Sequence, residues 1–323
     1  MSASAAMIPG LRLGHATDRN LGSGVTVILP DKPALASVDI RGGSPGTRDT
    51  QLLSPEQSVS RVDALVLSGG SAFGLDAAGG VQAWLRERER GYPITPFHIP
   101  IVPSAILFDL RSPGNKNWGR YSPYRELGYQ ACVDATDRPD EGRVGAGTGA
   151  GTATTHGGIG IASDILENGH RVAAVVAVNA VGSPFIGQTK HFWAAPFEQN
   201  GEFGGLGLPH PWPEDASKVR TKGEAYPAGT NTTIGAVLTD APLTKAEARR
   251  IAIMAHDGLA RAIYPAHTPA DGDLIFCLST TGTESSAHQS DLVQLGSVAA
   301  NAFARAIARG VYHALPGHSG NSL

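Results

Sequence analysis

Cysteine is scarce: Cys132 and Cys277 are the only two in 323 residues. They lie far apart, and neither has metal-ligand spacing to another cysteine or to a histidine. A disulfide framework and a zinc site are therefore both without support, and the two residues read as small core residues. Charge is also sparse, at 17% of residues with a formal net charge of -3. No basic stripe and no interleaving of arginine with aromatics runs through the chain, which excludes a nucleic-acid footprint. No apolar run approaches the roughly 20 residues that a membrane helix needs. Residues 1–10 lack a basic segment followed by an apolar one. No nucleic-acid or membrane partner is expected, and the expected compartment is the cytoplasm.

What the chain does have is glycine, 41 residues of it, and a 41% hydrophobic fraction that suits a globular protein with a sizeable core. The length allows one large domain or two ordinary ones. Val25, Val27 and Leu29 alternate as a strand, Pro30-Asp31-Lys32-Pro33 turns, and Ala34 to Val38 runs apolar again. Val62 to Leu67 reads as a buried strand. A helix opens near Gly74 and runs to about Glu89 on Leu75, Val81, Trp84 and Leu85. After the proline-bounded apolar segment 100–110 and a polar stretch 111–124, a helix passes through Tyr129 to Ala135. Gly157-Gly158-Ile159-Gly160 reopens extended structure, and Arg171 to Asn179 is a buried strand ending in an amide. Residues 192–229 crowd glycine, proline and polar residues without a period, which reads as an exposed linker. Regular structure then resumes. Thr233 to Thr239 is a strand, and Thr244-Lys245-Ala246-Glu247 carries a helix-start signal. Ile251, Ala255, Leu259 and Ala262 follow at helical spacing, then a strand Leu274 to Leu278 and a final helix from about Asp291 to Arg309. There is no internal repeat.

The most informative local feature is Gly229-Thr230-Asn231-Thr232-Thr233-Ile234-Gly235, a loop running into the first residue of a strand. Its residues also describe a polar turn capping a strand. The chemical reading rests on what a threonine gains when its own nitrogen becomes a free amine. An α-amine with a pKa of about 8 can take the proton of the nearby hydroxyl, so one residue supplies nucleophile and base. Reaching that state requires the chain to break its own Asn231-Thr232 bond. Asp271-Gly272-Asp273 could aim two carboxylates to one side of an extended segment to orient Thr232, or could be a turn into a strand. It lacks the later ligands of a calcium loop. Asn179 at its strand end could be the fixed amide donor of an oxyanion site, or a turn former.

The glycine-rich loops Arg41 to Thr47 and Arg143 to Gly151 do not fit the dinucleotide fingerprint, and they read as places of close backbone approach. Ser71 in Gly69-Gly70-Ser71-Ala72-Phe73-Gly74 misses the nucleophile-elbow spacing by one residue.

Together these segments resemble the DmpA-like self-processing peptidases, which include L-aminopeptidase/D-esterases, β-aminopeptidases and nylon-oligomer hydrolases. The stretches that carry the resemblance are Arg41-Gly42-Gly43, Ser68 to Leu75, Gly145-Ala146-Gly147-Thr148-Gly149, Val178-Asn179-Ala180-Val181-Gly182, Asn231-Thr232-Thr233-Ile234, and His267-Thr268 with Asp271-Gly272-Asp273. The resemblance implies an α/β fold, a four-layer αββα sandwich of the N-terminal-nucleophile-hydrolase type, as a single domain over residues 1–323. It implies autocleavage into a large chain 1–231 and a small chain 232–323, and assembly as a homo-oligomer, a tetramer or larger of cleaved pairs. Thr232 matches the threonine of the nylon-hydrolase branch, Asp271 and Asp273 its aspartate pair, and Asn179 its oxyanion asparagine. No cofactor or metal is implied.

Two departures bear on substrate. Family members commonly carry a lysine shortly after the Gly-Thr-Gly loop, whereas here residues 150–156 contain none, and Thr154 or His156 is expected near that place. The glutamate with which β-aminopeptidases hold a substrate amine is absent from Val102 to Asp109, a segment that leaves Phe108 as a candidate substrate contact. The expected function is a self-processing amidohydrolase, an aminopeptidase or amidase, cleaving small peptides or ω-amino-acid amides through an acyl-enzyme on Thr232. The alternatives are an acyltransferase of the ornithine-acetyltransferase type and a non-catalytic binding descendant of the fold.

Overall fold

The computed structural model describes residues 7–223, 231–283 and 287–318. In chain order the strands begin with β1 Leu11–Asp18, β2 Ser23–Pro30, β3 Ala34–Ile40, β4 Thr47–Arg48, β5 Arg61–Val62 and β6 Leu65–Ser68. Helix α1 Ala77–Arg86 follows, then a small hairpin of β7 Tyr92–Ile94 and β8 Phe97–Ile99, β9 Ser104–Ile106 and α2 Tyr124–Val133. The second half holds β10 Ile159–Ile165, β11 Arg171–Ala177, β12 Ile234–Thr239, α3 Lys245–Ala262, β13 Leu274–Ser279 and α4 Gln289–Tyr312.

The strands form two main sheets, β1-β2-β6-β9-β4 and β10-β11-β12-β13-β3-β5. Side-chain alternation on β11 explains how they stack. Ala173, Val175 and Ala177 face the first sheet, where Leu13, Ile28, Leu65 and Leu67 meet Phe276 of β13. Val172, Ala174 and Val176 face the other way, onto Ile251 and Leu259 of α3 and Phe303 and Ile307 of α4. The outer face of the first sheet, with Val25, Val27 and Val66, packs on Val81 and Trp84 of α1 and Tyr124 of α2. Three apolar seams between four layers make the αββα sandwich. A strand covered on both faces needs no polar alternation, which is why Val172 to Val178 is uninterruptedly apolar.

Helix α3 begins with the anticipated capping box: the Thr244 side chain accepts from the Glu247 N–H, and the Glu247 carboxylate accepts from the Thr244 N–H. It crosses between β12 and β13, which therefore run parallel.

Two sequence expectations change, and a strand pairing that the sequence left open is decided. The strands on either side of Pro30-Asp31-Lys32-Pro33 do not pair with each other. β2 joins β1 and β6, while β3 joins β13 and β5 in the other sheet. Likewise Val62 to Leu67 is two strands, β5 and β6, one in each sheet. Period and composition are the same for either partner, so only packing separates them. The stretch 192–223 has little regular structure, and its first part is no exposed linker, because Phe192, Ala194 and Phe203 are buried in the α3–α4 seam, whereas most of 204–223 is exposed as expected. Residues 224–229 lie outside the described residues. Strand β1 was not anticipated.

Phe276 is fully buried between the sheets. Phe276→Ala should lower the unfolding free energy by about 3–5 kcal/mol, seen as a reduced urea midpoint at unchanged slope.

Candidate active site

The parallel register pairs Ile234 with Leu274, and the bridge between Asn231 and Asp271 extends it backwards. Asn231-Thr232-Thr233 thus lies alongside Asp271-Gly272-Asp273, with Thr232 opposite Gly272. On the other side, the antiparallel pairing of Ala177 with Ile234 brings Asn179 opposite Thr232. The Thr232 N–H donates to the Asn179 carbonyl at 2.8 Å. Four residues from three sequence segments meet at one end of the second sheet, and all are at least 98% buried: Asn179 and Thr232 are 2% exposed, Asp271 and Asp273 1%.

The geometry around the Asn231-Thr232 bond is specific. The Thr232 hydroxyl donates to the Asn231 carbonyl oxygen. The same oxygen accepts the Gly272 N–H at 2.9 Å. A Cβ on Gly272 would stand 2.7 Å from the Thr232 Oγ1 and 2.7 Å from the Ser44 carbonyl oxygen, so only glycine leaves room for the hydroxyl. The Arg41-Gly42-Gly43-Ser44 loop closes over this triplet: Arg41 and Gly42 N–H groups reach the Asp273 carbonyl at 2.9 and 3.0 Å, and Ser44 N–H reaches that of Asp271 at 2.8 Å. A Cβ on Gly42 would lie 2.2 Å from the Asp273 nitrogen. The glycine loop is a site of close backbone approach, as read from sequence.

Each aspartate is held by several donors. Asp271 Oδ1 accepts Val181 N–H at 3.1 Å, and its Oδ2 accepts the Thr268 N–H and hydroxyl at 3.0 and 2.7 Å. Asp273 Oδ1 accepts Thr233 N–H at 2.8 Å, and its Oδ2 faces both the backbone N–H and the ring Nδ1 of His267 at 3.1 and 2.9 Å. Burial, and then the charge of Asp273, push the Asp271 carboxyl up, against the pull of its hydrogen bonds. Among the described residues neither carboxylate bonds to Thr232 itself in the intact chain. Asp273 braces Thr233, the residue after Thr232, while Asp271 braces Val181 and Thr268.

Asn179 holds its amide in a fixed pose. Its Nδ2 donates to the Phe108 carbonyl at 3.1 Å, and its Oδ1 accepts from Gly151 N–H at 3.0 Å and from Lys222 Nζ at 3.0 Å. An amide nitrogen has two hydrogens, so one remains for a further acceptor. Lys222 is the residue that sequence reasoning missed. It sits in the aperiodic stretch before Asn231, with no motif to mark it, and only the fold carries it to Asn179. Burial lowers its ammonium to about 7, with the Asp271 charge pulling the other way.

A cavity of about 390 Å³ adjoins Asn179, with Phe108, Arg111, Gly151, His156 and Lys222 among its lining. Of the three substrate contacts expected from sequence, Phe108 and His156 line it. Burial, and then the charge of Arg143, hold the His156 imidazole below its ordinary range. Thr154 does not line it. Its hydroxyl is paired with the Ser183 hydroxyl at 3.0 Å, and Lys222 rather than Thr154 brings a cation to the space after the Gly-Thr-Gly loop. Asp109 also lines the cavity, where its carboxylate is engaged by the Ser23 hydroxyl at 2.6 Å and the Gly70 N–H at 2.7 Å. Among the described residues no cluster of histidine, cysteine and carboxylate has the makings of a metal site.

The sequence matches peptidase family S58 from residue 6 to residue 322. The chain belongs to that family. An uncharacterised aminopeptidase of Mycobacterium tuberculosis is 42% identical over 96% of this chain and 93% of its own. A 6-aminohexanoate-oligomer endohydrolase of Agromyces sp. is 29% identical over 84% of this chain and 73% of its own. Among solved structures, the β-aminopeptidase of Burkholderia sp. superimposes with a TM-score of 0.69 at 22% identity, covering 96% of this chain and 86% of that one. The L-aminopeptidase D-Ala-esterase/amidase of Ochrobactrum anthropi, described as a variant of the Ntn hydrolase fold, gives 0.70 at 19% identity, covering 96% and 87%. The S58 chain described here has that fold, and its family and aminopeptidase relatives make it a hydrolase of amide bonds.

Gly272→Ala forces either the Thr232 hydroxyl or the Ser44 loop to move. It should destabilise the protein by about 1–3 kcal/mol, measured by urea unfolding.

Proposed function

We propose that this chain cuts its own Asn231-Thr232 bond and then uses Thr232 as the nucleophile of a small-amide hydrolase. The observation that carries the reading is the Thr232 hydroxyl lying against the Asn231 carbonyl while the Gly272 N–H holds the same oxygen. Attack of Oγ1 on that carbonyl carbon builds negative charge on an oxygen that already has a backbone donor. Collapse breaks the C–N bond, the Thr232 nitrogen takes a proton, and water hydrolyses the resulting ester. The products are a carboxylate at Asn231 and a free amine and hydroxyl on Thr232.

In the mature site that amine inherits the Asn179 carbonyl as its hydrogen-bond acceptor, at 2.8 Å in the intact chain. It takes the Oγ1 proton as the hydroxyl attacks a substrate carbonyl, and returns it to the leaving amine. The remaining Nδ2 hydrogen of Asn179 answers the oxyanion. Lys222, donating to Asn179 Oδ1, polarises that amide and strengthens its N–H as a donor. Water then releases the acyl group. Small peptides and ω-amino-acid amides are the substrate class we favour. The named activity of the Agromyces relative supports the latter, as does the absence of a glutamate from residues 102–109, where the one carboxylate, Asp109, is already engaged by Ser23 and Gly70.

Thr232→Ala should leave an intact chain of 33.4 kDa with no hydrolysis of aminoacyl p-nitroanilides, β-amino-acid amides or 6-aminohexanoate oligomers. Intact-mass spectrometry of the wild type should find residues 1–231 and 232–323 as separate chains, and a wild type that stays whole on prolonged incubation ends the proposal.

Asn179→Ala should lower kcat by about 10²–10³-fold with a much smaller change in KM. Lys222 provides a pH test. Its folded value of about 7 is below the unfolded value of about 10.4, so between those limits the unfolded chain holds one more proton. Stability from this group therefore rises with pH across that window, by up to about 1.4 kcal/mol per pH unit, and the burial penalty is complete below it. In the Thr232→Ala background, Lys222→Met should flatten that slope, measured by urea unfolding at pH 7, 8 and 9.

A further inference from the structure

Behind the aspartate pair lies a chain of side chains that the catalytic scheme does not use. His256 of α3 is 5% exposed. Its Nδ1 faces His267 Nε2 at 3.2 Å, the two rings standing edge to face with centroids 4.7 Å apart. Its Nε2 faces the Asp39 carbonyl oxygen at 3.2 Å and the Asp39 carboxylate at 3.5 Å. At the other end His267 Nδ1 faces Asp273 Oδ2 at 2.9 Å. The left-handed backbone of His267, with φ 54, turns its own N–H onto that same oxygen. Asp39 in turn is paired with Arg41 at 2.5 Å.

Counting protons decides the charge of this chain. The groups at its two ends, the Asp39 carbonyl oxygen and the Asp273 carboxylate, act as acceptors. Each end contact therefore needs an N–H from the imidazole that faces it, and the contact between the two rings needs a third. Two neutral imidazoles carry two ring protons, whereas three hydrogen bonds need three. We propose that the pair holds one extra proton, so that His267 is an imidazolium donating to both Asp273 and His256, and that it positions the nucleophile by neutralising the carboxylate that grips Thr233. His256 is then neutral, donating through Nε2 to Asp39 and accepting at Nδ1. That assignment agrees with burial, and then the His267 charge, pushing His256 down to about 4. The charged groups facing the pair are Asp39 with Arg41 behind it, Asp273, and Asp271 two residues away, itself acted on by Lys222.

The consequence for the site is electrostatic and mechanical. Asp273 Oδ1 holds the N–H of the residue next to Thr232. Loss of the extra proton leaves one of the three contacts with two acceptors facing each other, which opens the chain at that point and leaves the Asp273 charge unbalanced. His267 and His256 are thus positioning residues, acting on Thr232 through Asp273 and Thr233.

The proposal bears on the role given above to Thr232, but its test does not depend on turnover. Nitrogen-15 NMR of the histidine-labelled protein at pH 7.5 should find one of the eleven imidazoles with hydrogen on both ring nitrogens, and His267→Gln should delete that signal. His256→Phe removes the acceptor and should lower the doubly protonated fraction of His267 at the same pH. His256→Gln, which can donate to Asp39 and accept from His267, should keep it. A wild type in which His267 carries a single ring hydrogen at pH 7.5 overturns the proposal, as does a doubly protonated signal indifferent to His256→Phe. An inert protein would defeat the hydrolase reading and leave this result standing.

Discussion

Everything at the candidate site depends on the lateral register of β11, β12 and β13. Main-chain pairing between β12 and β13 sets Thr232 beside Gly272, and pairing between β11 and β12 sets Asn179 across from Thr232. A slip of one residue in either ladder would turn each of these side chains to the opposite face of the sheet. The register is held by burial: β12 and β13 are buried along their whole length and present apolar residues to both seams. The hydrophobic sandwich is therefore what aligns a polar site at its end.

That site is a dense set of polar groups in a dry place, a costly arrangement unless nearly every donor and acceptor is matched. Matching is done largely by main chain. Val181, Thr233, His267 and Thr268 donate backbone N–H groups to the two aspartates, Gly272 to the Asn231 carbonyl, and Arg41, Gly42 and Ser44 to the carbonyls of the aspartates themselves. Backbone can come this close only where no Cβ intervenes, as at Gly42 and Gly272. The glycine-rich loops that match no nucleotide motif owe their composition to this packing. The proton shared by His256 and His267 belongs to the same economy, since it supplies the one donor that two neutral rings would lack.

Lys222 ties the segment before Asn231 to Asn179. It projects from an aperiodic stretch whose Phe192 and Phe203 anchor in the α3–α4 seam, and it reaches Asn179, which stands across from Thr232. Cutting after Asn231 would leave Lys222 on the large chain with Asn179, and both aspartates on the small chain with Thr232. In such an enzyme the two chains are inseparable, because each carries part of one hydrogen-bonded site.

The sequence by itself marked the buried strands and helices, and its motifs named candidate residues that the fold brings together. Uninterrupted apolar runs at Val172 to Val178 and Leu274 to Leu278, and helical spacing at Ile251, Ala255 and Leu259, are local patterns that survive in any context, so the two-sided burial of β11 and the start of α3 at Thr244 were legible. Asn179, Thr232, Asp271 and Asp273 were legible as candidates because each lies just beyond the end of an apolar strand, and those ends gather at one end of the sheet. Tertiary structure alone decided which strands share a sheet, since β2 with β3 and β5 with β6 look alike in sequence and part company only when each finds its partners. It also decided that Thr154 turns to Ser183 while Lys222 approaches Asn179, and that Asp39, His256, His267 and Asp273 form one chain. Those contacts join residues far apart in sequence, and nothing local records a distance that the folded backbone creates.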